Sequence, residues 1–296
     1  MGVASEGVTA PDSRSPVGNA GAVGAGQRRA AVLGSPISHS LSPVLHEAAY
    51  AELELTAWRY EAIECAEQAL PAFLEGLGPE WAGLSLTMPL KRVALRLADE
   101  VSPLARAVGA ANTLVLGERR RAENTDVVGI VAALREAGLD RVGTAVVLGA
   151  GGTAQAALAA LRDLGTSSPT IVVRDPARTA DLYAAADRLA VTPTIFGGLP
   201  DVDLPGADVV ISTLPSGAAD ALRPQRWSAD TVVLDVVYAP WPTPLAATAA
   251  DAGCRIISGL AVLLYQAAAQ VELMTGRGAP VSRMRQALDA ASRARG

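Results

Sequence analysis

Residues able to move a proton or to hold a small polar ligand are scarce in this 296-residue chain, and they fall in a few short segments. Ser85-Leu-Thr87-Met-Pro89-Leu-Lys91 places a lysine where a helix is predicted over 89–98. The positive end of a helix dipole disfavours a cation, so an ammonium in the first turn gives up its proton more readily, which suits a general acid or base. An ordinary surface lysine is the alternative. Glu123-Asn124-Thr125-Asp126 runs into a helix predicted over 127–137. Asp126 is therefore either a helix cap or a carboxylate that meets Lys91 and holds its ammonium. Gly109-Ala-Ala-Asn112-Thr113 ends in a similar polar pair. Ser35-Pro-Ile-Ser38-His39-Ser40-Leu-Ser42-Pro43 gathers hydroxyls into one loop. Ser42 before Pro43 fits an N-cap with proline at the first helical position, whereas capping does not account for Ser40.

A different chemistry is written in Ala145-Val-Val-Leu-Gly149-Ala150-Gly151-Gly152-Thr153-Ala154, an apolar strand, a glycine turn and an Ala-rich helix. Such a turn lets the backbone approach a pyrophosphate, and the helix that follows presents unpaired N–H groups to it. Ala154 stands at the third glycine position of the dinucleotide fingerprint, a replacement the fingerprint admits. The next strand ends in Val173-Arg174-Asp175-Pro176-Ala177-Arg178. Arg174 and Arg178 could clamp the 2′-phosphate of NADP, while Asp175 could serve an NAD ribose or cap a helix. His39 and His46 have no neighbouring acid or cysteine at metal-ligand spacing, so no metal is expected.

The elements that must position these groups alternate. Strands are expected at 30–33, 58–63, 83–86, 111–116, 121–123, 144–148, 170–173, 209–212, 232–235 and 255–257, and helices at 43–53, 66–77, 89–98, 127–137, 261–275 and 280–293. The alternation predicts an α/β fold with mostly parallel sheets, and the Val/Ile-rich strands of the second half read as buried on both faces. Two domains follow: residues 28–126 plus 259–296 form one, and 127–258 form a nucleotide-binding domain inserted in it. Residues 1–27, rich in Gly, Ala, Ser and Pro, are expected to be a disordered tail. A formal net charge of −5 disfavours nucleic acid and anionic membrane as partners. The apolar stretch 259–274 is broken by Gln266, Gln270 and Glu272 and falls short of the ~20 residues of a membrane span. Two isolated cysteines and no readable secretory signal point to the cytoplasm.

Taken in order, the segments resemble the shikimate dehydrogenase family from about Ala30 to the C-terminal helices. The matching motifs are SxSP with Ser40 and Ser42, TMPxK with Lys91, GxxNT with Asn112, NTD with Asp126, GAGG from Gly149, the Arg174/Arg178 pair, and GLxxLLxQ from Gly259 to Gln266. The resemblance implies a Rossmann-like domain inserted in an α/β substrate-binding domain. It implies reversible, NADPH-dependent reduction of 3-dehydroshikimate to shikimate on the way to aromatic amino acids. On this reading Lys91 and Asp126 are the catalytic pair, and Ser40, Ser42, Thr87, Asn112, Tyr238 and Gln266 contact the substrate. Gly149, Ala150, Gly151, Gly152, Thr153, Ala154, Arg174, Arg178 and Gly259 bind the cofactor, in a monomer or homodimer. The chain departs from the common pattern at Ser85, where Asn is usual, and at Val173, Asp175 and Glu123. Two other readings stay open: a quinate/shikimate dehydrogenase using NAD, and a non-catalytic dinucleotide-binding sensor.

Overall fold

The computed structural model describes residues 26–198, 206–220, 222 and 227–295. The tail expected over 1–27 lies outside the described residues up to position 25.

Two six-stranded sheets carry the molecule. The first holds β1 (Arg28–Gly34), β2 (Trp58–Glu64), β3 (Trp81–Leu86), β4 (Glu100–Val101), β5 (Thr113–Val115) and β6 (Arg121–Glu123), in the order β2-β1-β3-β5-β6-β4. β1 pairs in parallel with both β2 and β3, and only β5 runs against its neighbours. Successive side chains of a strand point to opposite faces. Ala31 and Leu33 of β1 accordingly enter one apolar cluster with Leu70, Trp81 and Leu90, while Ala30 and Val32 enter another with Tyr50 and Tyr60.

The second sheet holds β7 (Ala145–Leu148), β8 (Thr170–Val173), β9 (Thr194–Gly197), β10 (Val209–Ser212), β11 (Val232–Asp235) and β12 (Arg255–Ser258), all parallel, in the order β12-β11-β10-β7-β8-β9. Val147 and Ile211 face one apolar cluster, Val146 and Val210 the other. Burial on both faces explains why these strands carry no alternation. The strand order reverses between β7 and β10, and a doubly wound sheet opens a crevice at the carboxyl ends of its strands at such a point.

The helices differ from expectation where tertiary bonds intervene. α1 (Ser42–Glu52) has Leu41 at its N-cap, so Ser42 is its first helical residue and does not cap it. The helix expected over 66–77 divides into a 3₁₀ turn, Glu67–Ala69, and α2 (Leu70–Glu75), because Pro71 is tolerated only near a helix start. α3 (Val93–Leu97) begins well after Pro89. The Lys91 carbonyl accepts the Ala111 N–H at 2.8 Å, which takes that residue out of a helical ladder. α4 (Pro103–Val108) is opened by the Ser102 hydroxyl, which accepts the Ala105 N–H, and closed by Gly109 at φ +78°. Sequence reading passed over α4, β4 and β9, and did not place α7 (Ala180–Leu189) or α8 (Pro244–Asp251).

α5 (Asp126–Glu136) leads into the second sheet, and α6 (Gly152–Asp163) follows β7. After β12, α9 (Gly259–Thr275) and α10 (Val281–Arg293) return to the first half, where Leu264, Val271, Met284 and Leu288 pack on Leu41, Leu45 and Ala49. α5 and α9 cross at Gly129, where a Cβ would stand 2.8 Å from the Val262 carbonyl oxygen. No described helix is long and apolar enough to cross a membrane.

Candidate active site

A cavity of about 310 Å³ gathers Ser40, Ser42, Thr87, Lys91, Asn112, Asp126, Tyr238 and Gln266 in its wall. These residues come from the loop after β1, the turn after β3, the start of β5, the start of α5, the segment after β11, and α9. At its centre Lys91 Nζ donates to Asp126 Oδ2 at 2.6 Å, with the two side chains only 19% and 11% exposed. Lys91 therefore does not occupy a helical first turn, and the dipole argument does not apply to it. Its ammonium is held in place by the carboxylate. Asp126 does not cap α5, because Thr125 holds the N-cap position. As the first helical residue it is free to accept Lys91 on one oxygen and Asn112 Nδ2, at 2.9 Å, on the other.

Asn112 is itself fixed from several sides. Its Oδ1 accepts the Thr125 N–H at 2.7 Å and its Nδ2 also reaches Gln266 Oε1 at 3.3 Å. Gln270 Nε2 donates to the Asn112 carbonyl at 3.2 Å and to Thr113 Oγ1 at 3.0 Å. Gln270 Oε1 accepts Ser85 Oγ at 2.8 Å, and Ser85 Oγ accepts the Tyr60 hydroxyl at 2.6 Å. Tyr60 stacks on His46 with ring centroids 3.9 Å apart. Burial raises the Tyr60 and Tyr50 phenols and lowers His46 to about 3, so these groups stay neutral. Burial likewise raises Tyr238, against a smaller opposite pull from Arg295. Around one ion pair the cavity thus offers neutral hydroxyls and amides, the lining a small polyhydroxylated molecule requires.

A second cavity, of about 760 Å³, is lined by Gly149, Ala150, Gly151, Arg174, Asp175 and Arg178. Gly149 has φ +109°, and a Cβ there would stand 2.6 Å from Thr213 Oγ1. Nothing lies within 4 Å of where a Gly151 Cβ would be, and no side chain caps α6, so its first N–H groups are free to bind. Arg174 and Arg178 form no ion pair with a described residue. Asp175 Oδ1 accepts the Ala177 N–H at 3.0 Å, which makes it the cap of a short 3₁₀ turn. These residues fit a dinucleotide with its pyrophosphate at α6 and an anionic group at the arginines. Ala154 is fully buried in the core, so its small side chain serves close packing of α6 on the sheet. Thr153 and Gly259 line the smaller cavity. A Cβ on Gly152 would be 3.9 Å from Lys91 Cδ, which sets the two cavities side by side.

Residues 32–114 match the family described as the shikimate dehydrogenase substrate binding domain, and residues 259–288 the shikimate 5′-dehydrogenase C-terminal domain. A protein of Moorella thermoacetica named shikimate dehydrogenase (NADP(+)) is 38% identical over 283 residues, 88% of this chain and 94% of that protein. The chain belongs to the shikimate dehydrogenase family. The crystal structure of Mycobacterium tuberculosis shikimate dehydrogenase is similar at a TM-score of 0.78 and 46% identity, covering 89% of this chain and 99% of that one. The Thermus thermophilus shikimate 5-dehydrogenase, solved with NADP(H) and shikimate, is similar at 0.78 and 32% identity, covering 90% and 100%.

Within this shikimate dehydrogenase family chain, Ser85, a departure from the common family pattern, is buried. The hydroxyl is held between Tyr60 and Gln270, and Gln270 carries the amide contact on to Asn112. Sequence reading missed Gln270 and Tyr60 as parts of the site. Gln270 lies four residues after Gln266, so the two share one face of α9, and that spacing is the signal that could have found it. Among the described residues no three potential ligands cluster to hold a metal ion.

Proposed function

We propose that this protein reversibly reduces 3-dehydroshikimate to shikimate with NADPH. The observation that carries the reading is the 2.6 Å Lys91–Asp126 pair inside a small cavity of neutral hydrogen-bonding groups. Bound at Gly149, Ala150, Gly151 and the N-terminus of α6, NADPH supplies the hydride for the ketone carbon. Arg174 and Arg178 take its 2′-phosphate, since Asp175 is spent on its own turn. Lys91 stabilises the charge that develops on the ketone oxygen and then donates its proton there. Asp126 keeps the ammonium aimed, and Asn112 fixes the free side of that carboxylate. Ser40, Ser42, Thr87, Tyr238 and Gln266 hold the ring hydroxyls and carboxylate, with Thr153 and Gly259 in the wall shared with the cofactor's neighbourhood.

The division of labour follows the sheets: residues 127–258 carry the cofactor and residues 28–126 with 259–296 carry the substrate. The protein works in the cytoplasm as a monomer or homodimer, a setting that suits two buried free cysteines. Initial rates with shikimate or quinate, each with NADP or NAD, test the proposal. Fast turnover with shikimate and NADP supports it. Preference for quinate with NAD would reassign specificity while keeping Lys91 and Asp126, and no turnover with any pair would make the protein a sensor.

A further inference from the structure

A third cavity, of about 440 Å³, lies where α3 and α4 of the first half meet α6 and α7 of the second. Its wall carries Arg96, Arg106, Arg188, Gly109 and Gln155, and it shares Arg92 and Asp181 with the cofactor cavity. None of these residues belongs to the substrate cavity. Gln155 is 1% exposed, and neither end of its amide has a hydrogen-bond partner among the described residues. A buried amide with both ends unpaired is costly to keep, so this one is placed to meet something entering the cavity.

The charges around it are equally underused. Arg188 is anchored through Nε, which donates to the Ala107 carbonyl at 3.0 Å. Its Nη2 and Gln155 Oε1 converge over Gly109, where a Cβ would lie 2.6 Å from the first and 4.0 Å from the second. Among the described residues Arg106 reaches only the Val101 carbonyl, at 3.5 Å, and Arg96 only an exposed Glu67, at 3.7 Å. The one carboxylate among the described residues of the wall, Asp181, is already paired with Arg92. Three guanidiniums with spare donors and a donating amide thus face one space in a chain whose net charge is negative. Planar guanidinium forks suit phosphate oxygens in particular.

We propose that this cavity is a second anion site, which takes a small phosphate-bearing molecule; it lies apart from the substrate cavity and adjoins the dinucleotide cavity, from which Arg92 and Asp181 separate it. Because Arg96 and Arg106 come from one sheet's helices and Arg188 and Gln155 from the other's, the bound anion joins the two halves of the molecule. The inference does not depend on the reaction proposed above.

Calorimetric titration of the full chain with inorganic phosphate, at constant ionic strength with chloride as control, tests it. Wild type is expected to bind phosphate, and Arg106→Ala and the near-isosteric Gln155→Glu each to weaken binding at least tenfold. An Arg174→Ala/Arg178→Ala variant, altered only at the dinucleotide position, is expected to lose the phosphate held there and to keep the site that Arg106→Ala and Gln155→Glu weaken. Arg106 is exposed, so its truncation keeps the fold and guards against a Gln155 variant that does not. The proposal is overturned if phosphate binds no better than chloride, if binding is lost only in the Arg174/Arg178 variant, or if all variants weaken equally.

Discussion

Acidification should reveal how completely the fold has enclosed His46. The ring is fully buried, stacked on Tyr60, and 3.5 Å from the Tyr50 hydroxyl through Nδ1. Burial pushes its pKa down to about 3 from 6.5, against a smaller upward pull from the Gln270 side chain. In the folded protein the ring stays neutral through mild acid, whereas in the unfolded chain it takes up a proton below pH 6.5. Between those two values the unfolded state binds more protons, so stability falls as pH falls through that window and is independent of this ring above it. At about 1.4 kcal/mol per pH unit, the step from pH 7 to pH 5 costs about 2 kcal/mol, and the loss approaches about 5 kcal/mol near pH 3. Carboxylates also titrate in that range, so the comparison needs a reference. His46→Phe keeps a stacked ring and removes the titration. Urea unfolding of both proteins at pH 7 and pH 5 should show wild type losing about 2 kcal/mol more than the variant. Equal losses would show that His46 is protonated within the fold, and would refute the argument.

Lys91→Met should lower kcat by on the order of 10²–10⁴-fold while changing the KM for shikimate far less, as steady-state kinetics would show; an unaltered kcat would remove Lys91 as the proton donor. Gln270→Leu removes the acceptor of the Ser85 hydroxyl and the amide donor to Thr113 Oγ1 and the Asn112 carbonyl, so kcat/KM for shikimate should fall by roughly tenfold or more with the KM for NADP unchanged. A variant with wild-type kinetics would make Gln270 a mere core residue. Arg174→Ala and Arg178→Ala should each raise the KM for NADP by on the order of 10–100-fold and leave NAD kinetics unaffected.

The strands buried on both faces were legible almost to the residue, since the runs at 170–173, 209–212 and 232–235 have hydrophobic content and turn residues at each end that leave little choice. The short edge strands β4 and β9 were not, because an edge strand of two or four partly exposed residues has no distinctive pattern. α4 had its signals in place, Ser102 before it, Pro103 at its first position and Gly109 after it, but it is only six residues long. In the site, the residue types could be read and the reasons for them could not. Lys91 matters because Asp126, distant in sequence, is set beside it, and its backbone is drawn off the helix by Ala111, a contact no local spacing reveals. Thr153 and Gly259, grouped with the cofactor from motif position, line the smaller cavity beside the dinucleotide cavity.

The crossing of α5 and α9 at Gly129 has a bearing on how such a protein can be altered. α5 starts with Asp126 and α9 carries Gln266 and Gln270, so both helices bring groups to the wall of the smaller cavity, and they touch too closely for any larger residue at that point. Everything between the end of one helix and the start of the other, including all six strands of the second sheet, is a single excursion of the chain. Its exit and re-entry are clamped together by the same contact that aligns the polar groups. The excursion is therefore a cassette: on the function proposed above its dinucleotide preference is to be sought at Arg174, Asp175 and Arg178, and loops within it can lengthen or shorten, while the seam holds Asp126 and Gln266 on either side of Asn112. Exchange of this stretch between relatives should succeed best with joins placed outside the crossing, so that the two helices are transplanted as a matched pair.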